Sequence, residues 1–230
     1  MSPLISIVVP VFNEARTVAE VIERLIEIEL PAPREILVVN DGSTDGTREV
    51  LDRVARRPEL RIIHAEKNGG KGSAIRIGFS KAAGTIVAIQ DADLELDPAQ
   101  IAELVQPILD GRTKVVYGSR FLGARPDAPW LSIFANQVLT GVTNLLFGGR
   151  LTDMETCYKV MAREIAQSLD LESNRFDIEP EITAKLLRAG HSILELPIRF
   201  EPRSRAQGKK IGWRDGFRAI QVLLKYRFSK

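Results

Sequence analysis

An α/β fold, with a mostly parallel central sheet and helices on both faces, is predicted by three features of the N-terminal half. Apolar runs such as "LISIVVPV" and "REILVVND" are continuous and rich in β-branched residues, the signature of strands buried on both faces. Between them lie stretches with apolar residues at helical spacing. Strand and helix then alternate from the start of the chain to about residue 93, which is the order of a parallel sheet.

The elements follow in order. "LISIVVPV" is the first strand, and Val18, Val21, Ile22, Leu25 and Ile26 mark the first helix after Asn13-Glu14. "REILVVND" is the second strand. "GSTDGT" is a turn in which Thr44 or Asp45 caps the helix "TREVLDRVARR". "LRIIHAE" is the third strand, "KNGGKGSA" opens the next helix, and "TIVAIQDAD" is the fourth strand. The order then changes. Pro98 starts a short helix to about Asp110, "KVVYGSRF" is a strand, and 129–149 is helical. "CYKVMAREIAQSL" is mixed, "EPEITAKLLRAG" is a helix, and "SILELPIRFEP" is a strand pair or an edge strand. The basic amphipathic segment "IGWRDGFRAIQVLLKYRF" closes the chain. No repeat, low-complexity stretch or linker interrupts residues 1–230, so one domain is the economical reading.

The formal charge of +2 hides an asymmetry. From Arg199 to Lys230 there are ten Lys/Arg against Glu201 and Asp215, a net +8, so the other 198 residues carry −6. A basic tail on an acidic body fits an anionic partner; the plainer reading is a solvated helix face. The lone Cys157 excludes an internal disulfide and fits a reducing compartment. "LISIVVPVF" lacks a basic leader and reads as a strand rather than a signal peptide. In "PWLSIFANQVLTGVTNLLFGG" the residues Asn136, Gln137, Thr140 and Asn144 interrupt what would otherwise approach a span of roughly 20 apolar residues, so an amphipathic helix, buried or lying on a surface, is expected. His64 and His191 fall outside every motif and are expected to pack or face solvent. Trp130 and Trp213 flank amphipathic stretches and either pack inward or anchor at an interface.

Ligands of open α/β sheets bind at the carboxyl ends of the strands. Three early strands end in "VPVFNE", "VVNDGS" and "IQDAD", which brings Glu14, Asp41, Asp91 and Asp93 to one edge if the strands are parallel neighbours. Asp91 and Asp93 repel each other unless a cation sits between them, and hard oxygen ligands suit Mg²⁺ or Mn²⁺ bound together with substrate phosphates. The structural alternative is that both are strand-end turn residues. The P-loop pattern is absent, and no G-x-G-x-x-G follows the first strand.

In combination, "VPVFNE", "VVNDGSTDGT", "KNGGKGSAIRIGFSKAAGTIVAIQDADLELDP" and "YGSRF" resemble the family 2 glycosyltransferases with the GT-A fold, in particular the branch of dolichyl- and polyprenyl-phosphate mannose and glucose synthases. The likeness runs from about residue 4 to 122 and continues through "TDMETCYKVM", "ELPIRF" and "R…GKKI". It implies that Pro10, Phe12 and Glu14 begin the nucleotide pocket and that Val39 and Asp41 read the base. Lys71, Gln90, Asp91, Ala92 and Asp93 complete the nucleotide-sugar site. Asp91-Ala92-Asp93 is similar to the family's D-x-D motif, with Glu95 as a third metal-ligand position. Arg120 matches an active-site arginine that contacts phosphate, and Arg203, Arg205, Lys209 and Lys210 resemble a basic loop over the diphosphate. By the same resemblance, 1–122 is the nucleotide-sugar and metal half and 123–230 the acceptor half.

The expected activity is metal-dependent, inverting transfer of a hexose from a nucleotide-diphosphate sugar of GDP-mannose or UDP-glucose type to a polyprenyl phosphate. The setting is the cytoplasmic membrane face, with the chain peripheral, no transmembrane segment and no nucleic-acid partner; a separate membrane-anchor protein is conceivable. A metal and basic side chains stabilise the diphosphate that leaves. A lipid phosphate is already an anion and attacks unaided, whereas a hydroxyl acceptor needs a base, for which Asp153, Glu155, Glu179 and Glu181 are the candidates and Glu179 the first choice. Rival readings are a family member with a carbohydrate or other hydroxyl acceptor, a sugar-phosphate nucleotidyltransferase, and a non-catalytic nucleotide-sugar sensor. Asp91, Asp93 and Arg120 speak for catalysis over sensing.

Overall fold

A computed structural model describes residues 2–123, 128–202 and 213–229. Continuous apolar runs become strands with no exposed face. β1 (Ile5–Val11) is buried along its whole length, and β2 (Arg34–Asn40) is buried from Ile36 onward. The helices α1 (Val18–Glu27), α2 (Thr47–Val54) and α3 (Lys71–Lys81) return the chain between β1, β2, β3 (Leu60–His64) and β4 (Ile86–Ile89). Each return covers one face of the sheet, which is why these strands need apolar residues at consecutive positions. A 3₁₀ turn at Pro98–Gln100 leads into α4 (Ile101–Leu109), with the Asp97 carboxylate accepting from the Ala99 amide at 3.1 Å. β5 (Val115–Ser119), α5 (Trp130–Phe147), β6 (Lys159–Ala162), α6 (Arg163–Ser168), α7 (Ile178–Arg188), β7 (Leu194–Pro197) and α8 (Trp213–Phe228) follow.

The strands form one seven-stranded sheet in the order β3-β2-β1-β4-β6-β5-β7. β1 pairs in parallel with β2 and β4, and β2 with β3. β6 runs antiparallel to both β4 and β5, while β7 is parallel to β5 and forms the sheet edge. Every strand except β6 therefore points its carboxyl end to the same side, and β6 contributes its amino end there.

The main core surrounds the sheet, with α1, α3 and α4 packed on it. Gly78 lets α3 approach β1, since a Cβ there would lie 2.2 Å from Val8 Cγ1. A smaller core sits between α5, α7 and α8, built from Leu139, Met154, Ala184, Ala219, Leu223 and Tyr226. One sequence expectation changes here. The α2 N-cap is Gly46, left-handed at φ 90°, rather than Thr44 or Asp45; the Asp45 carboxylate instead accepts from the Thr47 amide at 3.1 Å. The apolar face of α8 is turned inward at Ala219, Leu223 and Tyr226, because α5 and α7 offer it a protein surface to pack on. Only Phe217, Leu224 and Phe228 of that helix remain as large exposed apolar side chains among the described residues.

Candidate active site

At the carboxyl edge of the sheet lies a cavity of about 390 Å³. Its walls are Pro10, Val11, Phe12 and Glu14 after β1, Asp41 after β2, and Asn68, Gly70, Lys71 and Ala74 at the start of α3. Asp91, Ala92, Asp93, Glu95 and Leu96 follow β4, and Arg120 follows β5. Glu155 and Cys157 precede β6, Arg175, Phe176 and Glu179 come from the start of α7, and Phe200 follows β7. The expected convergence of Glu14, Asp41, Asp91 and Asp93 is thus present.

The loop before α3 is fastened to the end of β2 by Asp41. Its two carboxylate oxygens accept from the amides of Gly69 at 2.8 Å and Gly70 at 2.7 Å. Burial pushes this carboxyl above its usual value, and the two amides offset only part of that rise. Gly70 is required at its position: φ is +96°, and a Cβ would lie 2.2 Å from the Asn174 carbonyl. The turn that carries Asp93 is also unusual. Leu94 sits at φ +61°, a region rare for non-glycine residues and concentrated at functional sites. Asp93 Oδ1 accepts from the Glu95 amide at 3.1 Å, which aims the carboxylate from within the turn.

A line of alternating charge crosses the cavity floor. Lys71 Nζ lies 2.9 Å from Asp91 Oδ1 and 3.0 Å from Glu179 Oε1. The second contact is close, but its angle falls outside hydrogen-bond geometry, so it counts as an ion pair only. Glu179 Oε2 in turn meets the fully buried Lys159 Nζ at 2.5 Å. Lys159 also donates to the carbonyls of Met154 and Thr156 and lies over the Tyr117 ring. Burial alone would lower the pKa of Lys71, but Asp91 and Glu179 raise it well above the ordinary lysine value. Burial, with Asp91 alongside, likewise pushes the Cys157 thiol well up, so this cysteine stays protonated.

Arg120 is fixed by Asp153. Nε and Nη2 each donate to that carboxylate at 2.7 Å, and the Arg120 amide donates at 3.0 Å. Asn136 of α5 donates to the same group at 3.2 Å, and Glu195 accepts from the Asp153 amide. The guanidinium lies 5.2 Å from the centroid of the Phe200 ring. The cation is thereby presented at the cavity wall with little freedom.

Several expected site residues stand elsewhere. Val39 is fully buried within β2 and does not line the cavity. Gln90 is fully buried as well; it donates to the carbonyls of Asp91 and Leu96 and accepts from Tyr158, so it shapes the Asp91 turn rather than meeting a ligand. Glu95 lines the cavity, yet among the described residues no three His, Cys, Asp or Glu side chains form a ready-made metal cluster. The Asp91–Asp93 pair still suits Mg²⁺ or Mn²⁺, which commonly takes one or two carboxylates and completes its shell with phosphate and water. Of the four candidate bases, Asp153 is committed to Arg120. Glu181 is committed to the amides of Glu172 and Ser173, to Tyr226 and to Lys185. Those bonds outweigh burial and hold its carboxyl at about 2, too acidic for a base near neutral pH. Arg203, Arg205, Lys209 and Lys210 lie outside the described residues.

Cavity residues that strand-end reasoning passed over are Asn68, Cys157, Arg175, Phe176 and Phe200, together with Glu155, which entered only as one of four possible bases. The signal for Phe200 was available: it follows "ELPI", a strand end of the same kind as the others.

One face of α5, whose other side is bonded to Asp153, is left exposed. Leu131, Phe134, Val138 and Leu145 recur along one side of the helix and are exposed, Phe134 at 58% and Leu145 at 85%, and Trp130 at the helix start is 71% exposed. The helix contains no Asp, Glu, Lys or Arg. Its opposite side is fastened by Asn136 to Asp153 and by Thr140 to the Met154 amide. Among the described residues no helix is long and apolar enough to cross a membrane.

Comparison with known proteins gives a consistent picture. The family described as Glycosyl transferase family 2 matches residues 6–169. Glycosyltransferase AglD of Haloferax volcanii is 30% identical over 207 residues, covering 86% of this chain and 33% of AglD. The dolichol-phosphate mannosyltransferase of Pyrococcus furiosus is 26% identical, covering 90% of this chain and 59% of that protein. For the polyprenol monophosphomannose synthase of Mycolicibacterium smegmatis the identity is 25%, with coverage of 90% and 80%. The chain therefore spans about a third of AglD and less than two thirds of the Pyrococcus protein. Among solved structures, glucosyl-3-phosphoglycerate synthase from Mycobacterium tuberculosis, in complex with Mn²⁺, uridine diphosphate and phosphoglyceric acid, superposes with a TM-score of 0.75. It is 19% identical and covers 100% of this chain and 80% of that one, a likeness of fold.

Proposed function

Because the chain belongs to glycosyl transferase family 2 and has its GT-A fold, we propose that it transfers a hexose from a nucleotide-diphosphate sugar to a polyprenyl phosphate, with inversion and with a divalent metal. The observation that carries the acceptor half of this reading is α5. An uncharged helix with an exposed apolar stripe stands beside Arg120, the two joined through Asp153 and Asn136. An apolar stripe of this kind suits contact with a lipid surface or a polyprenyl chain, while Arg120 suits a phosphate. The names of the Pyrococcus and Mycolicibacterium relatives point to the same acceptor class.

In this reading residues 1–122 hold the donor and 123–230 hold the acceptor, with the chain peripheral at the inner face of the membrane. Pro10, Phe12, Glu14 and Asp41 frame the nucleotide. Asp91 and Asp93 would hold Mg²⁺ or Mn²⁺, which when bound neutralises charge on the departing diphosphate. An oxygen of the acceptor phosphate attacks the anomeric carbon, the bond from that carbon to the diphosphate breaks, and the nucleoside diphosphate leaves with the electron pair. Arg120 stabilises phosphate charge from a fixed position, which costs no reorganisation during the step. Lys71 holds Asp91 and Glu179 in place. No side chain need remove a proton, because the nucleophile is already an anion.

A hydroxyl acceptor is the second reading. It is favoured by one observation: the Glu155 carboxyl, raised to about 7 by burial and by Glu179, has a value suited to a general base. The two are separated by supplying labelled GDP-mannose or UDP-glucose with Mn²⁺ and either a short-chain polyprenyl phosphate or hydroxyl acceptors such as phosphoglycerate. Labelled lipid phosphate is expected. Transfer to hydroxyls alone, or to neither acceptor, would refute the proposal.

A further inference from the structure

Glu155 is a cavity group for which the proposed transfer has no task. It lies on the stretch between Asp153 and β6 and lines the cavity, yet its Oε1 is closed off from solvent and meets no hydrogen-bond partner among the described residues. Buried polar atoms are nearly always satisfied, so an orphan oxygen at a cavity wall points to a ligand that completes it. The adjacent cations are engaged elsewhere: Arg120 is bound to Asp153, and Lys159 is bound to Glu179 and two carbonyls. The charges that bear on Glu155 are Glu179 and Asp153, which favour its neutral form, and Lys159 and Arg120, which oppose it. Burial and Glu179 prevail, and the carboxyl is raised to about 7. An incoming phosphate would add negative charge and favour the neutral form further. A neutral carboxylic acid has one O–H to give, and terminal phosphate oxygens are acceptors.

We propose that Glu155 works as a neutral carboxylic acid that donates a hydrogen bond to a terminal oxygen of the acceptor phosphate and so positions the nucleophile beside Arg120. This rests on the lipid-phosphate reading above. A carboxyl group kept neutral by its site so that it can donate is a known device of enzyme active sites.

The test compares wild type with Glu155→Gln and Glu155→Ala, measuring kcat and KM for a short-chain polyprenyl phosphate and for the nucleotide sugar from pH 6 to 9. The Gln amide still donates but does not titrate. Glu155→Gln should therefore stay within a few-fold of wild type at pH 7. Wild-type activity should fall on the alkaline side as the proton is lost, and Glu155→Gln should lack that fall. Glu155→Ala should raise the acceptor KM by about 10–100-fold, the loss of one hydrogen bond to a charged group, and leave the donor KM unchanged. If Glu155→Gln is as impaired as Glu155→Ala, the carboxylate is a base and the inference fails. It fails equally if Glu155→Ala behaves as wild type. A wild-type chain that never modifies the lipid phosphate overturns the acceptor reading itself, a result visible before any variant is compared.

Discussion

Removing the Asp153 charge should unfasten Arg120, at a cost the structure allows to be sized. Asp153 is wholly buried and accepts four hydrogen bonds, three from Arg120 and one from Asn136. Asp153→Asn keeps one acceptor and turns the other atom into a donor that faces Arg120 N–H groups. A largely buried guanidinium is then left without its counter-charge. Breaking one side of a buried ion pair typically costs about 3–5 kcal/mol, so the melting temperature should drop by about 6–20 °C for a chain of this size. The double variant Arg120→Met/Asp153→Leu removes both charges and should recover much of that loss, because an apolar pair of similar volume often replaces a buried ion pair without penalty. Urea titration of the wild type, both single variants and the double variant closes the cycle. A coupling energy of about 2 kcal/mol or more is expected. Single variants costing under about 1 kcal/mol, or losses that add within about 0.5 kcal/mol, would refute the buried-pair account. Loss of transfer in Asp153→Asn without loss of stability would instead make Asp153 a base.

Two further outcomes follow from the site. The Glu155 carboxyl titrates at about 7 in the folded chain against an ordinary value of 4.5, so between these values the folded state holds the extra proton and stability falls as pH rises through that window, levelling off above it. Glu155→Gln should abolish this slope: in urea titrations it should match wild type near pH 4 and exceed it near pH 8 by up to ~3 kcal/mol, at about 1.4 kcal/mol per pK unit, and equal stabilities near pH 8 would contradict the shift. Asp93→Asn should keep the melting temperature of the free chain but lose the added stabilisation that nucleoside diphosphate gives with Mn²⁺, about 2.7 kcal/mol at a hundred times the dissociation constant; stabilisation equal to wild type would remove Asp93 from the metal site.

The architecture was legible because the burial of each early strand on both faces leaves a continuous apolar run, and because a polar residue directly after such a run marks the ligand edge. That logic brought Glu14, Asp41, Asp91 and Asp93 to one edge, where the cavity lies; Arg120 came from the family resemblance. The resemblance also implied Val39, within β2, and Gln90, just after β4, but both are buried and neither lines the cavity. The deeper limit of strand-end reasoning is directional. β6 runs against its neighbours, so its amino end reaches the site, and Glu155 and Cys157 precede a strand instead of following one. Nor does local sequence reveal that Asp153 holds Arg120, since the two residues are 33 positions apart.

The two C-terminal amphipathic segments show a different ambiguity. Helical periodicity states that an apolar face exists, not what covers it. In α8 the apolar spacing does not separate the two sides: Ala219, Leu223 and Tyr226 pack against protein, while Phe217, Leu224 and Phe228 stay exposed. In α5 the whole circumference is uncharged, and the sequence does not say which side turns inward. The deciding residues are polar ones: Asn136 reaches Asp153, Thr140 receives the Met154 amide, and Asn144 bonds both the amide and the carbonyl of Leu151. These bonds fix the rotation of the helix about its axis. With that rotation Ile133 and Leu139 turn inward beside Thr140 and Thr143, and Leu131, Phe134, Val138 and Leu145 are left outward. The polar interruptions that break the apolar run are therefore what fasten one side of the helix to the protein and leave the opposite, greasy side exposed.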